Sequence, residues 1–218
     1  MIVVVGGTKG GTGKSTIVTN LATVDIHQGH DSLLLDTDKQ GSASAWAAVR
    51  EESNEDLPRV ATMQKFGGVS LTNELRALAG KYQNIFVDAG GYDSEELRAS
   101  IIVCDVLLIP LRPAQFDVWT LPRIIELISQ AQVFNASVQP LFVINGAHTS
   151  PNVREADELM DLAAEVEGMR FAKTVIHNRR AFVKAAASGL SVLELKRNDK
   201  DAKAAQEITE LYQEITYV

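Results

Sequence analysis

The 218-residue sequence predicts an α/β fold, a mostly parallel central sheet with helices on both faces, and three observations carry that expectation. Short apolar runs of strand length alternate with helical apolar spacing along the chain, the pattern of βαβ units. A glycine-rich loop ending in Gly-Lys-Ser joins the first apolar run to the first helical pattern, the strand–loop–helix context that an anion-cradling loop requires. Two further apolar runs end in aspartate, at Asp36 and Asp88, the carboxyl ends of strands where open α/β sheets bind ligands.

Taken in order, Ile2–Val5 reads as a buried strand, and Ser15–Gln28 as a helix with Ile17, Leu21 and Val24 on one stripe. Leu33–Leu35, Ile85–Val87, Val106–Ile109 and Leu141–Ile144 read as strands. Leu121–Val133 reads as a helix, with Pro122 tolerable near its start. Ser150 as cap and Pro151 at the first helical position predict a helix over Asn152–Glu165. Lys173–Ile176 is expected as a short strand, Ala181–Ala187 as a helix and Lys200–Thr216 as a terminal amphipathic helix. The acidic stretch Glu51–Asp56, ahead of Pro58, is expected as a surface loop. The length suits one domain over residues 1–218.

Composition narrows the function classes. Hydrophobic residues at 45% and charged residues at 22% exclude disorder as the main state. Cys104 is the only cysteine, which excludes a disulfide framework, a Cys-rich zinc site and a Cys-ligated iron–sulfur cluster within one chain. A reducing cytoplasm is the expected compartment. The longest apolar run, near Ile101–Leu111, is interrupted by Asp105 and falls short of the ~20 residues of a spanning helix. The start Met-Ile-Val-Val-Val has no basic leader and no small-residue cleavage site, so no signal peptide is expected. His27, His30, His148 and His177 lack metal-ligand spacing, and Trp46 and Trp119 read as packing residues. The net charge of -7 argues against nucleic acid until its distribution is considered. Arg170–Lys203 holds nine basic and three acidic residues, a net +6 that leaves the rest of the chain at −13. A local basic face can bind phosphates, because screening limits repulsion from beyond ~8 Å.

Lys9-Gly10-Gly11-Thr12-Gly13-Lys14-Ser15-Thr16 is the phosphate loop. Its glycines let backbone N–H groups crowd around polyphosphate, and the helix that follows adds the positive end of its dipole. Lys14 is expected at the β- and γ-phosphates, the Ser15 hydroxyl on Mg²⁺ and Thr16 at the α-phosphate. Thr8 stands where the usual motif has its first glycine. A Rossmann fingerprint would need glycine or alanine at position 16 and has no use for Lys14. Ile85-Phe86-Val87-Asp88 followed by Ala89-Gly90-Gly91 is a Walker B pattern, with Asp88 toward Mg²⁺. Asp36 and Asp38, two apart at a strand end, can face one pocket.

Lys-Gly-Gly-Thr-Gly-Lys-Ser resembles the deviant Walker A motif of the ParA/MinD family, whose extra signature lysine corresponds to Lys9. Asp36-Thr37-Asp38-Lys39-Gln40 resembles that family's Asp-x-Asp-Pro-Gln motif, with Lys39 in place of proline. The resemblance covers nearly the whole chain. It extends to Val106–Pro110 with the loop Arg112-Pro113-Ala114-Gln115-Phe116-Asp117, and to His177–Gly189 with Ser191-Val192. It implies a sandwich dimer formed on ATP, with Lys9 reaching the phosphates across the interface as an arginine finger does. It further assigns Asp38 to the attacking water, Asp36 to the Mg²⁺ surround, Gly91 to sensing the γ-phosphate and Asn145 to adenine.

The resemblance is closest to the small ParA type without a helix-turn-helix domain. It implies slow Mg²⁺-dependent ATP hydrolysis stimulated by a cargo-linked activator (ParB-like or analogous). It also implies nonspecific DNA binding and a cytoplasmic, nucleoid-associated protein that segregates or positions a plasmid, chromosome region or protein cargo. Arg179, Arg180, Lys184, Lys196, Arg197, Lys200 and Lys203 are the candidate DNA contacts, acting by phosphate neutralisation without base readout. Two alternatives share the loop. A MinD-like membrane-cycling ATPase needs a basic terminal helix, but the tail after Lys203 carries Glu207, Glu210 and Glu214 and no basic residue. A metabolic P-loop synthetase has no need of Lys9 with the Asp36/Asp38 pair.

Overall fold

The side chains of the first strand alternate between two cores, and this sets the architecture. In β1 (Ile2–Val5), Val3 and Val5 join one buried cluster and Ile2 and Val4 the other. A strand buried on both faces has no polar side to show water, which is why these runs read as continuous apolar stretches. The computed structural model describes residues 1–53, 56–113, 121–150, 153, 155–164 and 169–217. Six further strands follow: β2 (Ser32–Asp36), β3 (Ala61–Gln64), β4 (Asn84–Asp88), β5 (Val106–Leu111), β6 (Gln139–Ala147) and β7 (Ile176–His177). They form one parallel sheet in the order β3-β2-β4-β1-β5-β6-β7.

The described helices are α1 (Lys14–His27), α2 (Ser42–Ser53), α3 (Gly68–Ala79), α4 (Glu95–Ile101), α5 (Leu121–Gln132), α6 (Glu155–Ala164), α7 (Arg180–Ala187) and α8 (Ala202–Thr216). Ile17 and Leu21 of α1, Trp46 of α2, Phe182 of α7 and Ile208 and Leu211 of α8 share one core with Leu34, Phe86 and Val143. Leu71 and Leu75 of α3, Leu97 of α4, Ile124 and Leu127 of α5 and Leu159 of α6 pack on the other face with Leu35, Val87 and Phe142. Each fully buried aliphatic side chain is worth about 1.5–3 kcal/mol of transfer free energy.

β1 lies between β4 and β5, so its carboxyl end opens on the crevice where connections leave the sheet in opposite directions. α1 is buried along most of its length because the sheet, α2 and α8 enclose it. Its far end is pinned by Asp25, fully buried, which accepts hydrogen bonds from Ser32 Oγ, Asn84 Nδ2 (2.8 and 3.0 Å) and the Tyr212 hydroxyl (2.5 Å). His30 Nδ1 lies 2.9 Å from the same carboxylate.

The predicted strands and helices occur within a few residues of their expected places, with four corrections. Glu51–Ser53 form the last turn of α2, not a loop, because Arg50 beside them is drawn into the core; Asn54 and Glu55 lie outside the described residues. Lys173 and Thr174 are not strand: both backbone N–H groups are taken by the Glu214 carboxylate (2.7 and 2.8 Å), and the strand starts at Ile176. α6 begins at Glu155, and Ser150 instead closes a turn by accepting from Val153 N (3.2 Å); Pro151, Asn152 and Glu165 lie outside the described residues. α8 begins at Ala202, since the Asp201 side chain caps Lys203 N and Ala204 N (3.1 Å each). Three helices and an edge strand that the periodicity left unassigned, α2, α3, α4 and β3, fill residues 42–101 around β4.

Candidate nucleotide site

β1 feeds directly into the glycine-rich loop, and α1 starts at Lys14. Gly11 and Gly13 adopt φ of 74° and 87°, the left-handed region that side chains avoid. Gly13 is constrained twice: a Cβ there would lie 2.2 Å from Asn145 Nδ2. That amide comes from the far end of β6 and donates to the Thr12 carbonyl at 2.6 Å. Asn145, expected at adenine, uses its amide nitrogen in this structure to hold the loop backbone. No side chain caps α1 and its first turn holds no acid, so no protein carboxylate competes for its N–H groups.

Lys14 is 7% exposed and its Nζ donates to the Lys9 carbonyl at 2.9 Å. Burial lowers its pKa, while Asp88 and Asp38 raise it. Lys9 itself is partly exposed on the loop.

Three aspartates at the ends of β2 and β4 stand in three different states, and two of them, Asp88 and Asp38, act on Lys14. Asp36 is fully buried, with Oδ1 accepting from Asp38 N (3.1 Å) and Oδ2 from Ser44 N (2.8 Å). It thus caps the start of α2 and shapes the turn that carries Asp38, and both its oxygens are taken by backbone N–H groups. Asp38 is partly exposed and accepts from Gln40 N (3.0 Å). A Cβ on Gly90 would lie 3.7 Å from its Cγ and Oδ2, which places the Asp38 carboxylate against the loop that follows β4. Asp88 is 1% exposed, and neither carboxylate oxygen has a hydrogen-bond partner. Burial pushes its pKa up to about 7; the nearby Ser15 hydroxyl lowers it without reaching hydrogen-bond geometry, Asp36 raises it, Lys14 lowers it and Asp38 raises it. Two unsatisfied carboxylate oxygens beside a serine hydroxyl are hard donors that suit Mg²⁺, so the residues present fit that ion.

Two contacts tie the loops together. Thr37 donates to the Asp88 carbonyl through both its N–H (2.9 Å) and its hydroxyl (3.0 Å). Gly91 lies against the phosphate loop so closely that a Cβ would come within 2.7 Å of Gly10 Cα.

The basic residues predicted near the C-terminus divide into two groups. Arg179 is held by Glu207 (2.7 and 3.1 Å), and Lys184 pairs with Asp199. Arg180, Lys196, Arg197, Lys200 and Lys203 are exposed and form no ion pair among the described residues. His27, His30 and His177 each face a carboxylate, and His148 Nδ1 accepts from Ser150 N. Trp46 packs as expected, donating to the Leu190 carbonyl (3.1 Å) under the Arg50 guanidinium. Trp119 and the 114–117 part of the expected loop lie outside the described residues. No helix among the described residues is long and apolar enough to cross a membrane.

Sequence reasoning missed a buried network around Glu194. Arg50 binds both its oxygens (2.6 and 2.7 Å), and His27 Nε2 and Ser191 N approach it at 2.8 and 2.9 Å. Burial alone would raise the Glu194 pKa, but these partners hold it below the ordinary carboxylate range. The Gly189-x-Ser191-Val192 stretch was the available signal, without any indication of its partners.

Comparison with known proteins follows the same lines. Residues 3–192 match the family model described as the CobQ/CobB/MinD/ParA nucleotide binding domain. The maintenance of carboxysome distribution protein A of Halothiobacillus neapolitanus is 26% identical over 208 residues, covering 95% of this chain and 92% of that protein. Among solved structures, a plasmid partition protein from Borrelia burgdorferi bound to AMPPNP superposes with a TM-score of 0.70 at 18% identity, over 98% of each chain. The MinD cell division protein of Aquifex aeolicus gives 0.74 at 16% identity, over 100% of this chain and 97% of that one.

Proposed function

Since the chain belongs to the CobQ/CobB/MinD/ParA nucleotide-binding family, we propose that it is a ParA-type positioning ATPase. ATP would drive dimerisation and nonspecific DNA binding, and an activator on the cargo would stimulate hydrolysis and release. The observation that carries this reading is the buried, unpartnered Asp88 carboxylate beside Lys14 and Ser15, on a loop that also bears Lys9. The carboxysome-distribution relative favours a protein cargo over a plasmid.

In this reading Lys14 neutralises charge on the β- and γ-phosphates, and loop N–H groups with those of the first turn of α1 cradle the polyphosphate. Ser15 and Asp88 would hold Mg²⁺, which would supply positive charge to offset that of the polyphosphate. Asp36 fixes the turn, and Asp38 orients the attacking water. Asn145 secures the loop and lies toward the base. Lys9 completes the partner's site across a dimer interface, so the cation reaches the transferring phosphoryl only in the dimer. Arg180, Lys196, Arg197, Lys200 and Lys203 meet DNA phosphates, while Arg179 and Lys184 act within the protein.

The test is fluorescence anisotropy of a random-sequence duplex at ~100 mM salt, with ATP plus Mg²⁺, with ADP and without nucleotide. Binding only with ATP, abolished on raising salt and indifferent to duplex sequence, is expected. Failure to bind duplex while ATP binds and dimerises the protein would remove DNA from the cycle.

A further inference from the structure

We propose that Asn20 is a positioning residue that couples the phosphate loop to the basic segment beginning at Lys196; this rests on the DNA-binding ATPase reading above. Asn20 is 3% exposed, and both ends of its amide are committed to backbone. Nδ2 donates to the Thr16 carbonyl at 2.7 Å, in the first turn of α1 directly after the phosphate loop. Oδ1 accepts from Val192 N at 2.9 Å, across 172 residues of sequence. One side chain therefore joins the turn that meets phosphate to the stretch that precedes the unpaired lysines.

The other side of that stretch is anchored to α2. Arg50 donates to the Gly189 carbonyl (3.1 Å) and binds Glu194, and a Cβ on Gly189 would lie 2.3 Å from Arg50 N. α2 in turn starts at the Asp36 carboxylate. Gly189–Leu195 thus spans two helices that begin at different walls of the nucleotide site. The helices are close-packed, so α1 passes a shift at Thr16 onward as a body instead of absorbing it. Arg197, immediately beyond, sits at φ 54°, the only positive φ among the described non-glycine residues. Backbone strain of this kind clusters at segments that switch between arrangements.

The experiment compares wild type with Asn20→Ala by duplex anisotropy under ATP–Mg²⁺ and ADP, with ATP affinity from a fluorescent ATP analogue. The expected result is ATP affinity within about twofold of wild type and a fall of about tenfold in the ATP-to-ADP ratio of duplex affinities. Asn20→Asp keeps the acceptor for Val192 N but loses the donor to the Thr16 carbonyl, so it should lower the ratio as Asn20→Ala does. An unchanged ratio in folded Asn20→Ala overturns the proposal, because a purely structural asparagine would lower the melting temperature and leave the ratio alone. Amide exchange of the 189–200 stretch in the wild-type protein is independent of DNA and of the variants folding. Protection should rise with ATP over ADP, and equal protection overturns the coupling. Duplex binding that ignores nucleotide in wild type refutes the functional reading instead, and the coupling through Asn20 is then decided by whether Asn20→Ala abolishes the ATP-dependent protection of residues 189–200.

Discussion

Lys14 and Asp88 are each buried in a way that disfavours their own charge, and each partly offsets that cost for the other. Such a pair is poised for a ligand that brings both charges with it, an anionic polyphosphate and its cation. Lys14→Ala should remove nucleotide binding altogether in a calorimetric titration. Asp38→Ala should bind ATP and remain dimeric by light scattering, but release phosphate about 100-fold more slowly or less. Ordinary turnover in that variant would take Asp38 out of the water-positioning role. Asp88 also predicts a pH dependence. Its carboxyl titrates at about 7 in the folded chain against an ordinary 3.8. The folded state therefore holds the proton more tightly, and the group's contribution to stability is full below about pH 4 and lost as pH rises through 7. In Mg²⁺-free buffer the melting temperature of wild type should fall relative to Asp88→Asn across that window, and parallel curves would contradict the assignment.

At the level of elements, the site depends on what the helices are tied to. α1 carries the phosphate loop at one end and Asp25 at the other, and α2 runs from Asp36 to Arg50. Gly189→Ala tests the second anchor. Positive φ (64°) and a Cβ within 2.3 Å of the Arg50 backbone should destabilise the protein by about 2 kcal/mol or more, read as a lower urea midpoint. A midpoint within error of wild type would mean that α2 and this stretch separate at little cost. β1, α1, β2, β4, β5, α5 and β6 were legible because each is long or apolar enough to carry its own period. α2 was not, since its Ala- and Ser-rich face is small and its key core residue is an arginine. β3 was not, because an edge strand of half-buried residues shows no clean alternation.

For the whole molecule, charge placement decides what the surface can meet. The unpaired cations follow one another from Arg180 to Lys203 on an otherwise acidic chain. Replacing Lys200 or Lys203 by alanine should reduce the slope of log affinity against log salt by about 1 for each DNA phosphate no longer neutralised. Arg179→Ala should leave that slope alone and lower stability by about 1–3 kcal/mol, because its charge is spent on Glu207. The reverse pattern would place DNA on the Glu207 side. α8 is unsuited to a membrane for a reason beyond its acidic residues: Ala204, Ile208, Leu211 and Ile215 are buried in the core shared with α1, leaving no apolar stripe for lipid.

The sequence by itself determined the strand–loop–helix that makes the phosphate site, the acids at the ends of β2 and β4, and the local excess of positive charge. These are properties of neighbours along the chain, where period, glycine and spacing act within a few residues. Only the tertiary structure decided which acid is free. Asp36 and Asp88 both follow apolar strands, yet one is satisfied by backbone N–H groups and the other is left without a partner. It also decided that Arg179 is paired with Glu207 and Lys200 is a surface charge, and that Asn20 meets Val192. Hydrogen bonding and desolvation depend on what the fold brings from a distance, and no local pattern encodes that.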